Sequence, residues 1–541
     1  MAHGPYRRGG YAVNRLTALP GAGLLLSAEA AGALDREASR DWGLSPFALV
    51  EAAGRACARR LAALLPGLLG TPRPGPVIAL AGSGNNGADA LVMLRALILE
   101  HGLPPSLATA FLSRDGNTGE TGPRAEAVKA LRAMGVGVRL WERGAETLIG
   151  EADLIIDGIA GTGLSGPLRD IPLAMVQALN SLAGPLVAAI DVPSGNFDAW
   201  KGGMPIAEAD YTLAIEPLKA SLFKPLARRF GGNLIPVGGI FPGELIKKYG
   251  HDSIELLSWE VAQKRIPPAP PDAHKYVRGV AEIRAGAPGS SGAPWIAGKG
   301  AQAAGAGIVR LLTDRELYPI LAASAGGIMV GEAGSAADDP ERFRPDAVLL
   351  GPGWGKSAGR KTVLEGVLER CRPCGEGEGT PLILDADAIA LARGMALHRN
   401  VILTPHPGEF AAFTGIPREE TLADPAPVLR RVARELGVTI MYKGAVIYIA
   451  DPLGRVGVVD GMNPLLAAGG SGDLLAGLCT GIAARMRAMA LRGGGADFDG
   501  YTCAAAGAAL FMAAGKSIEA SFVDPLELVP PAAALAGKAW L

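Results

Sequence analysis

Cysteine is scarce in this sequence, and its spacing is irregular. The chain of 541 residues contains five cysteines, an odd number with no repeating interval. This pattern excludes a disulfide framework and predicts a reducing, cytoplasmic compartment. Two cysteines lie close together, but no second pair completes a zinc site, so we interpret them as part of a loop in an insertion, with zinc as the lesser alternative. The five are Cys57, the close pair Cys371 and Cys374, Cys479 and Cys503.

Excess charge and long apolar runs are also missing. The 52 Lys and Arg residues nearly balance the 53 Asp and Glu residues, and the formal net charge is -1. A protein with this balance has no overall positive electrostatic field that would attract nucleic acid or an anionic membrane. Residues 501–515, the longest uncharged run near the C-terminus, are too few and too rich in Ala and Gly to span a bilayer, so they predict a closely packed core helix. We therefore expect neither nucleic acid nor membrane as a partner.

The N-terminal segment allows two interpretations. In residues 6–30, arginines precede an apolar stretch, which is the order found in a secretory signal. Pro20, Gly21 and Gly23 interrupt that stretch, and the residues after Ser27 have the pattern of an amphipathic helix. A secretory signal is therefore the weaker interpretation.

The length and the alternation of elements predict an α/β fold class with two domains. A chain of 541 residues is too long for one core. Short apolar runs alternate with segments of helix length, which is typical of a parallel sheet covered by helices on both faces. Four prolines in residues 264–276 interrupt this alternation and indicate a linker. We place the domains at residues 1–250 and 276–541, with the linker at 251–275.

Residues 77–92, "VIALAGSGNNGADALV", raise the first functional question. An apolar run precedes Gly82, Gly84 and Gly87, which have the spacing of a dinucleotide fingerprint. A dehydrogenase also needs an acidic residue about 20 positions later for the ribose. Asp115 comes later than that, so a plain NAD dehydrogenase is disfavoured.

Polar side chains follow three predicted strands of the first domain. Asn85, Asn86 and Asp89 follow the first, Asp157 the second, and Asp191 with nearby Ser194 the third. The carboxyl ends of parallel strands form one crevice, and oxygen and amide groups there suit a hard cation better than a nicotinamide ring. The alternative is that these residues only satisfy turns.

Five segments of the first domain resemble the NAD(P)H-hydrate epimerase family in order and approximate spacing, over about residues 24–245. In that family a Rossmann-like, three-layer α/β/α domain interconverts the R and S epimers of hydrated NAD(P)H. The resemblance implies that Asn86, Asp157 and Ser194 hold K⁺ and that Asp191 is the acid or base. The segments are residues 25–38, 49–56, 82–92, 155–169 and 189–195. The residues implied to line the substrate, besides Asp191, are Asn85, Asn86, Gly87, Ala88, Asp89, Gly161, Thr162, Gly163, Leu164, Ser165, Gly166 and Pro167.

The chain departs from that family at two places. Ala88 and Ala90 occupy positions where glycine is usual, and Ala52 one where asparagine is usual. A methyl group at Ala88 or Ala90 is compatible with a negative φ but would crowd a phosphate where φ is positive. An epimerase-like domain without activity is therefore an alternative.

The second domain contains a glycine-rich helix start at residues 465–478, "LLAAGGSGDLLAGL". Glycines before a helix expose amides to a phosphate, and Asp473 can take a proton from an attacking hydroxyl. No G-x-x-x-x-G-K-[ST] sequence is present, so a P-loop enzyme is disfavoured. The alternative is that Asp473 merely caps the helix.

This run and five earlier segments resemble the ribokinase-like ADP/ATP-dependent NAD(P)H-hydrate dehydratases over about residues 270–535. The resemblance implies that Asp473 is the base and that Ala293, Gly353 and His406 contact the hydrated nucleotide. The earlier segments are residues 290–311, 349–355, 383–391, 403–410 and 442–449. The residues implied to surround the co-substrate are Lys443, Gly444, Ala445, Val446, Ile447, Gly470, Ser471 and Gly472.

The resemblance also implies the co-substrates and products. We expect ADP, with ATP as the alternative, together with Mg²⁺, and NAD(P)H, AMP and phosphate as products. The substrates would be the hydrates NADHX and NADPHX, and a homo-oligomer is expected. Ile447 and Ser471 depart from the family, which usually has threonine at both positions. A ribokinase-like small-molecule kinase and a nucleotide-binding scaffold are the remaining alternatives.

Overall fold

The computed structural model divides at Ile254 into two compact units, residues 1–254 and 255–541. Pro20 and Gly21 of the N-terminal segment, and Cys374 of the close cysteine pair, lie outside the described residues. The described residues are 23–66, 75–115, 121–251, 253–324, 326–339, 343–373, 379–492, 498–518 and 524–540.

The first unit is built on a parallel sheet of seven strands in the order β4-β3-β2-β5-β6-β7-β9. A short parallel pair, β1 and β8, accompanies it. The strands are β1 (Leu24–Leu26), β2 (Val77–Ala81), β3 (Ala108–Leu112), β4 (Gly137–Leu140), β5 (Leu154–Gly158), β6 (Leu186–Ile190), β7 (Tyr211–Ile215), β8 (Leu218–Lys219) and β9 (Asn233–Val237). The helices are α1 (Ala28–Asp41), α2 (Pro46–Leu64), α3 (Asn85–His101), α4 (Pro123–Ala133), α5 (Ala145–Gly150), α6 (Asp170–Ser181) and α7 (Gly243–Lys248).

Strand β2 shows why this sheet has helices on both faces. All five of its residues are buried. Ala79 packs into one apolar cluster with Leu61 of α2 and Leu94 of α3. Leu80, on the opposite face, packs into another cluster with Met175 of α6. An apolar run without alternation is the pattern of a strand covered on both sides, so the three-layer α/β/α expectation is confirmed.

The second unit contains a longer sheet in the order β13-β12-β11-β14-β15-β16-β17-β18-β19-β10. Strands β13 to β17 pair in parallel, and β17, β18 and β19 form an antiparallel meander. The strands are β10 (Ile254–Leu256), β11 (Val280–Arg284), β12 (Ile308–Thr313), β13 (Met329–Glu332), β14 (Ala347–Leu350), β15 (Leu382–Leu384), β16 (Val401–Leu403), β17 (Thr439–Tyr442), β18 (Val446–Ala450) and β19 (Val456–Asp460). The helices are α8 (Trp259–Ala262), α9 (Gly292–Ala303), α10 (Tyr318–Ala323), α11 (Ala358–Cys371), α12 (Asp387–Leu391), α13 (Pro407–Thr414), α14 (Arg418–Ala423), α15 (Pro425–Leu436), α16 (Ser471–Ala490), α17 (Gly500–Lys516) and α18 (Val529–Trp540).

Part of the segment assigned to the linker is folded into the second unit. Glu255 and Leu256 of β10 pair with β19, and Trp259 of α8 meets Trp540 edge to face, with ring centroids 5.5 Å apart. Residues 266–279 contain no helix or strand, which agrees with their prolines. The difference arises because Leu256 and Trp259 are buried, so this part of the chain contributes to a core.

Helix α17 is the core helix that its composition predicts, since most of its residues are buried. Among the described residues, no helix combines the length and the apolar character that a bilayer crossing requires.

Helices α16 and α9 approach so closely that glycine is required at Gly477. A Cβ atom there would lie 2.1 Å from the carbonyl oxygen of Ala297. We expect Gly477→Ala to lower the free energy of unfolding of this domain by ~1–3 kcal/mol, because backbone has to move to relieve the overlap. The matched control is Gly366→Ala in α11, where a Cβ meets nothing within 4 Å and alanine favours the helix. Calorimetry that finds equal unfolding temperatures for the two variants would contradict this prediction.

Candidate active sites

A cavity of 830 Å³ opens at the carboxyl ends of β2, β5 and β6 in the first unit. This volume suits a nucleotide-sized ligand. Helices α1 and α2 also contribute to its wall through Asp35, Pro46 and Leu49. Most of the residues that the resemblance assigns to the epimerase substrate line this cavity: Asn85, Asn86, Gly87, Asp89, Gly161, Thr162, Gly163, Leu164, Ser165, Gly166, Pro167 and Asp191.

The glycine loop brings the N-terminus of α3 to this cavity. A Cβ on Gly82 would lie 1.9 Å from the carbonyl oxygen of Ile159, and one on Gly87 would lie 2.3 Å from that of Gly82. Glycine is therefore required at both positions, because a side chain would prevent the close approach of the two backbone segments. Gly84, the residue before α3, provides no side-chain cap, so the first amides of the helix are available to an anion.

Ala88 and Ala90 lie inside α3, which begins at Asn85. Neither has a positive φ, and both side chains are buried in the core behind the cavity. Ala88 is thus the one residue of the implied substrate set that does not line the cavity wall. Ala52 packs against the same apolar cluster. The methyl groups at these positions are accommodated by packing and do not crowd the cavity.

Asp191 and Lys219 form a buried ion pair in the cavity wall. Asp191 follows β6 with a φ of +64°, a region in which aspartate is tolerated but most side chains are strained. Lys219 Nζ, on β8, donates to Asp191 Oδ1 at 2.6 Å and to the carbonyl oxygen of Ile215 at 3.0 Å. Sequence reasoning missed Lys219, and the available signal was a single lysine within the apolar segment 211–223.

Two further carboxyl groups face the same cavity. Burial and the charge of Asp191 raise the pKa of Asp89 well above its ordinary value, and Lys219 only partly opposes this. Burial also raises the pKa of Asp35. Asp89 therefore favours its protonated form while Asp191 has a cationic partner. Two carboxyl groups in such different environments can serve as acid and base.

Asp157 and Ser194 lie fully buried below this wall and bind each other. Ser194 Oγ donates to Asp157 Oδ1 at 2.5 Å, and the Ser194 amide donates to Oδ2 at 2.8 Å. Burial raises the pKa of Asp157, although the hydrogen bonds from Ser194 oppose the shift. Asn86 Nδ2 is buried without a hydrogen-bond partner. The carboxylate of Asp157, the hydroxyl of Ser194 and the amide oxygen of Asn86 are oxygen groups that suit a monovalent cation, whereas the unsatisfied Nδ2 of Asn86 is a hydrogen-bond donor.

The second site lies at the N-terminus of α16. Gly470 precedes the helix with a φ of +90°, and Asp473 lies in its first turn. Burial, with the nearby charge of Asp385, raises the pKa of Asp473 to about 6, although Lys443 opposes the shift. A carboxylate with such a pKa is deprotonated near neutral pH and can still accept a proton.

Lys443 connects this helix with Asp385. Its Nζ donates to Asp385 Oδ1 at 2.5 Å, and a Cβ on Gly472 would lie 3.5 Å from the same nitrogen. Asp385 belongs to the segment "ILDADAIAL", but sequence reasoning assigned it no role. An acidic side chain directly after an apolar strand was the signal that could have revealed it.

The residues implied to contact the hydrated nucleotide in the second site lie in or next to helices α9 and α13. Gly353, with a φ of +55°, lies against α9, because a Cβ there would lie 3.1 Å from that of Ala293. His406 caps α13, since its Nδ1 accepts from the amides of Gly408 at 2.9 Å and Glu409 at 3.2 Å. Its side chain is 56% exposed, so the ring also remains open to a ligand.

The implied co-substrate residues fall into two groups. Lys443, Gly444 and Ala445 occupy the turn between β17 and β18, and Gly470 and Ser471 with Gly472 form the start of α16. The side chains of Val446 and Ile447, at the start of β18, are buried. Any contact from these last two residues to a nucleotide therefore involves the backbone.

The fold and the two sites define a two-domain α/β protein with a nucleotide-sized cavity in one domain and a glycine-rich helix start beside a buried aspartate in the other. Residues 46–221 match the model of the YjeF-related protein N-terminus, and residues 281–524 match that of NAD(P)H-hydrate dehydratase. The chain is similar to a bifunctional NAD(P)H-hydrate repair enzyme of Coxiella burnetii, with 30% identity over 83% of this chain and 88% of the relative. It belongs to the family of bifunctional NAD(P)H-hydrate repair enzymes.

Two further similarities accompany these matches. A bifunctional NAD(P)H-hydrate repair enzyme of Gloeobacter violaceus is 34% identical over 81% of this chain and 84% of its own length. The crystal structure of an ADP/ATP-dependent NAD(P)H-hydrate dehydratase from Bacillus subtilis, obtained with ATP/Mg²⁺, is 26% identical with a TM-score of 0.45, covering 52% of this chain and 97% of that one.

Proposed function

We propose that this protein repairs hydrated NAD(P)H in two steps. The first domain interconverts the R and S hydrates, and the second dehydrates the S form at the expense of ADP, giving NAD(P)H, AMP and phosphate. One observation carries the proposal: Asp473, with a pKa of about 6, lies at a glycine-rich helix start beside the Lys443 ammonium. Family membership supports the substrate class, NADHX and NADPHX.

In the dehydratase site, Asp473 takes the proton from the ring hydroxyl of the hydrate. The oxygen attacks the terminal phosphoryl group of ADP, and AMP leaves. The amides of Gly470 to Gly472 and the Lys443 ammonium stabilise the charge on the phosphoryl oxygens. The bond between the ring carbon and the phosphate oxygen then breaks, and the departing phosphate takes the proton from the adjacent carbon, which restores the double bond of the reduced nicotinamide.

In the epimerase site, the amides at the start of α3 receive the substrate pyrophosphate. Asp89 gives a proton to the ring hydroxyl, which leaves as water, and Asp191 takes a proton from the water that adds to the other face. Lys219 pairs with the Asp191 carboxylate and fixes its orientation through the 2.6 Å contact. Each proton released by one carboxyl group is thus recovered by the other.

The ions belong to the proposal as well. Asn86, Asp157 and Ser194 would hold K⁺, which supplies a positive charge beneath the substrate-binding loops. Mg²⁺ would accompany the nucleotide phosphates, as phosphoryl transfer generally requires. We also propose a cytoplasmic location, supported by Cys57, Cys371 and other free, buried cysteines. Homo-oligomer formation is proposed from the family resemblance and is measurable by light scattering.

A single assay tests the proposed function. Hydrated NADH containing both epimers is incubated with ADP or with ATP, and the absorbance of reduced nicotinamide is followed. Complete recovery supports both activities, whereas recovery of the S fraction alone supports an inactive epimerase-like domain. No recovery with either nucleotide overturns the repair function and favours a small-molecule kinase or a scaffold. The initial rates with the two nucleotides decide between ADP and ATP.

The pKa of Asp473 predicts how the dehydratase rate depends on pH. The base works when deprotonated, so the rate should fall as the pH drops through about 6. At pH 5, one unit below this pKa, the rate should be about a tenth of its plateau value. The measurement is kcat for the S hydrate from pH 4.5 to 8, with unfolding monitored across the same range. A rate that stays level down to pH 4.5 would contradict the assignment.

A further inference from the structure

Asp385 is almost completely buried at the end of β15, with 1% of its surface exposed. Its Oδ1 accepts from Lys443 Nζ at 2.5 Å and from Thr404 Oγ1 at 2.6 Å. Thr404 follows the neighbouring strand β16 and is also buried. One carboxylate oxygen thus ties Lys443 to the ends of two adjacent strands.

We infer that Asp385 is a positioning residue for dehydration: it holds the Lys443 ammonium at the start of α16, where the transferred phosphoryl group is received. This inference rests on the proposed function of the second domain. It assigns Asp385 and Thr404 a task that acts through Lys443, without contact to either substrate.

The position of Lys443 makes such support necessary. Its ammonium lies beside Gly472, but a lysine side chain has a flexible four-carbon stem with many rotamers. Burial disfavours the ammonium, yet the charges of Asp385 and Glu409, with a contribution from Asp473, outweigh it and raise the pKa of Lys443. The ammonium therefore keeps its charge, and the hydrogen bond to Asp385 selects one orientation.

The backbone around Asp385 is held in place from two sides. Its amide donates to the carbonyl oxygen of Leu350 at 3.0 Å, and a Cβ on Gly351 would lie 1.8 Å from the carbonyl oxygen of Asp385. Ala386 follows with a φ of +44°, which a residue with a side chain rarely adopts. Such strain persists where the surrounding structure determines the conformation, and it is common at functional sites.

The experiment compares Asp385→Asn with Asp346→Asn. Asp346 is another largely buried carboxylate of the same domain, which accepts from the Val280 amide at 2.8 Å and lies 3.7 Å from Arg487. It precedes β14 at the amino-terminal end of the strand, whereas Asp385 follows the carboxyl end of the neighbouring parallel strand β15. We expect Asp385→Asn to lower kcat roughly 100-fold, as for loss of one group that stabilises the transition state, with KM for the hydrate changed less than about threefold. Asp346→Asn should leave kcat unchanged.

A milder variant tests the inference even if Asp385→Asn does not fold. Thr404→Val removes the hydroxyl that orients Asp385 and keeps all charges, so kcat should fall about 10-fold, a fraction of the loss expected for a group acting in the transition state. Its control is Thr480→Val in α16, where the hydroxyl donates only to the carbonyl oxygen of Ala476 among the contacts described. Equal kcat values for these two valine variants would overturn the inference.

A double-mutant cycle shows whether Asp385 acts through Lys443. Lys443→Met alone should lower kcat strongly, and adding Asp385→Asn should lower it by no more than about twofold further, because the group to be positioned is gone. Two effects that simply multiply would overturn the inference.

Calorimetric titration with ADP and Mg²⁺ separates this inference from the proposed function, because it requires no hydrate. Asp385→Asn should weaken ADP binding about 10-fold, the loss of one good charge-assisted contact to phosphate. If the wild-type protein repairs no hydrate, the proposed function fails, and this titration still tests the positioning role. Equal ADP affinity in Asp385→Asn and Asp346→Asn overturns the inference.

Discussion

Asp473→Asn should abolish the recovery of NAD(P)H from its hydrates. Asparagine has nearly the same shape but cannot accept the proton from the ring hydroxyl, so we expect the dehydratase rate to fall by ~10²–10⁴. The measurement is the absorbance of reduced nicotinamide with the S hydrate and saturating ADP.

ADP binding provides the control for this variant. The Gly470 to Gly472 amides and Lys443 are unchanged, and loss of a negative charge near the phosphates should maintain or strengthen binding. The epimerase should also be unaffected, as seen by NMR of the R and S hydrates without ADP. Substantial dehydratase activity in Asp473→Asn would show that another group is the base.

Asp191→Asn should leave only the S fraction of a mixed hydrate repaired at the enzymatic rate. Asparagine tolerates the φ of +64° as aspartate does, so the backbone should keep its conformation. The variant loses the charge that pairs with Lys219 and the ability to accept a proton. We expect epimerisation to slow by ~10²–10⁴, with dehydration of pure S hydrate unchanged.

Asp170→Asn is the matched control for Asp191→Asn. Asp170 has the same unusual sign of φ, at +49°, but is exposed at the start of α6 and does not line the cavity. Complete recovery is expected for this control. If Asp191→Asn also gives complete recovery at the normal rate, the acid or base of the epimerase is another group, and Asp89 becomes the first candidate.

The alternation of apolar runs and helical segments was sufficient to predict two α/β domains. The prediction succeeds because a strand covered on both faces must be apolar along its whole length, as β2 is. The same reasoning failed for Leu256 and Trp259, which were assigned to the linker. Nearby prolines dominated the pattern, whereas burial of these two side chains depends on partners far along the chain.

Sequence motifs located Asp191 and Asp473 because each belongs to a local pattern of glycines and strand ends. Lys219 has no distinctive neighbourhood in the sequence, and Asp385 follows an apolar run but has no glycine motif beside it. Each becomes interpretable through a partner: Lys219 is 28 residues from Asp191, and Asp385 is 58 residues from Lys443. Such pairings depend on which strands are adjacent in the sheet.

The meaning of Ala88 and Ala90 also depended on the tertiary structure. From the sequence alone, the methyl group of Ala88 or Ala90 could have crowded a phosphate. In the structure both lie within α3, and a Cβ on Gly158 would come within 2.5 Å of the Cβ of Ala90, so Ala90 faces strand β5.

The sequence by itself determined the fold class and the two glycine-rich helix starts, and it singled out Asp191 and Asp473 as candidates, because these features depend on residues close together along the chain. The tertiary structure alone decided which charges surround those aspartates. Burial, Asp385 and Lys443 set the protonation of Asp473, and Lys219 orients Asp191, since electrostatic interactions act through space between residues that are distant in sequence.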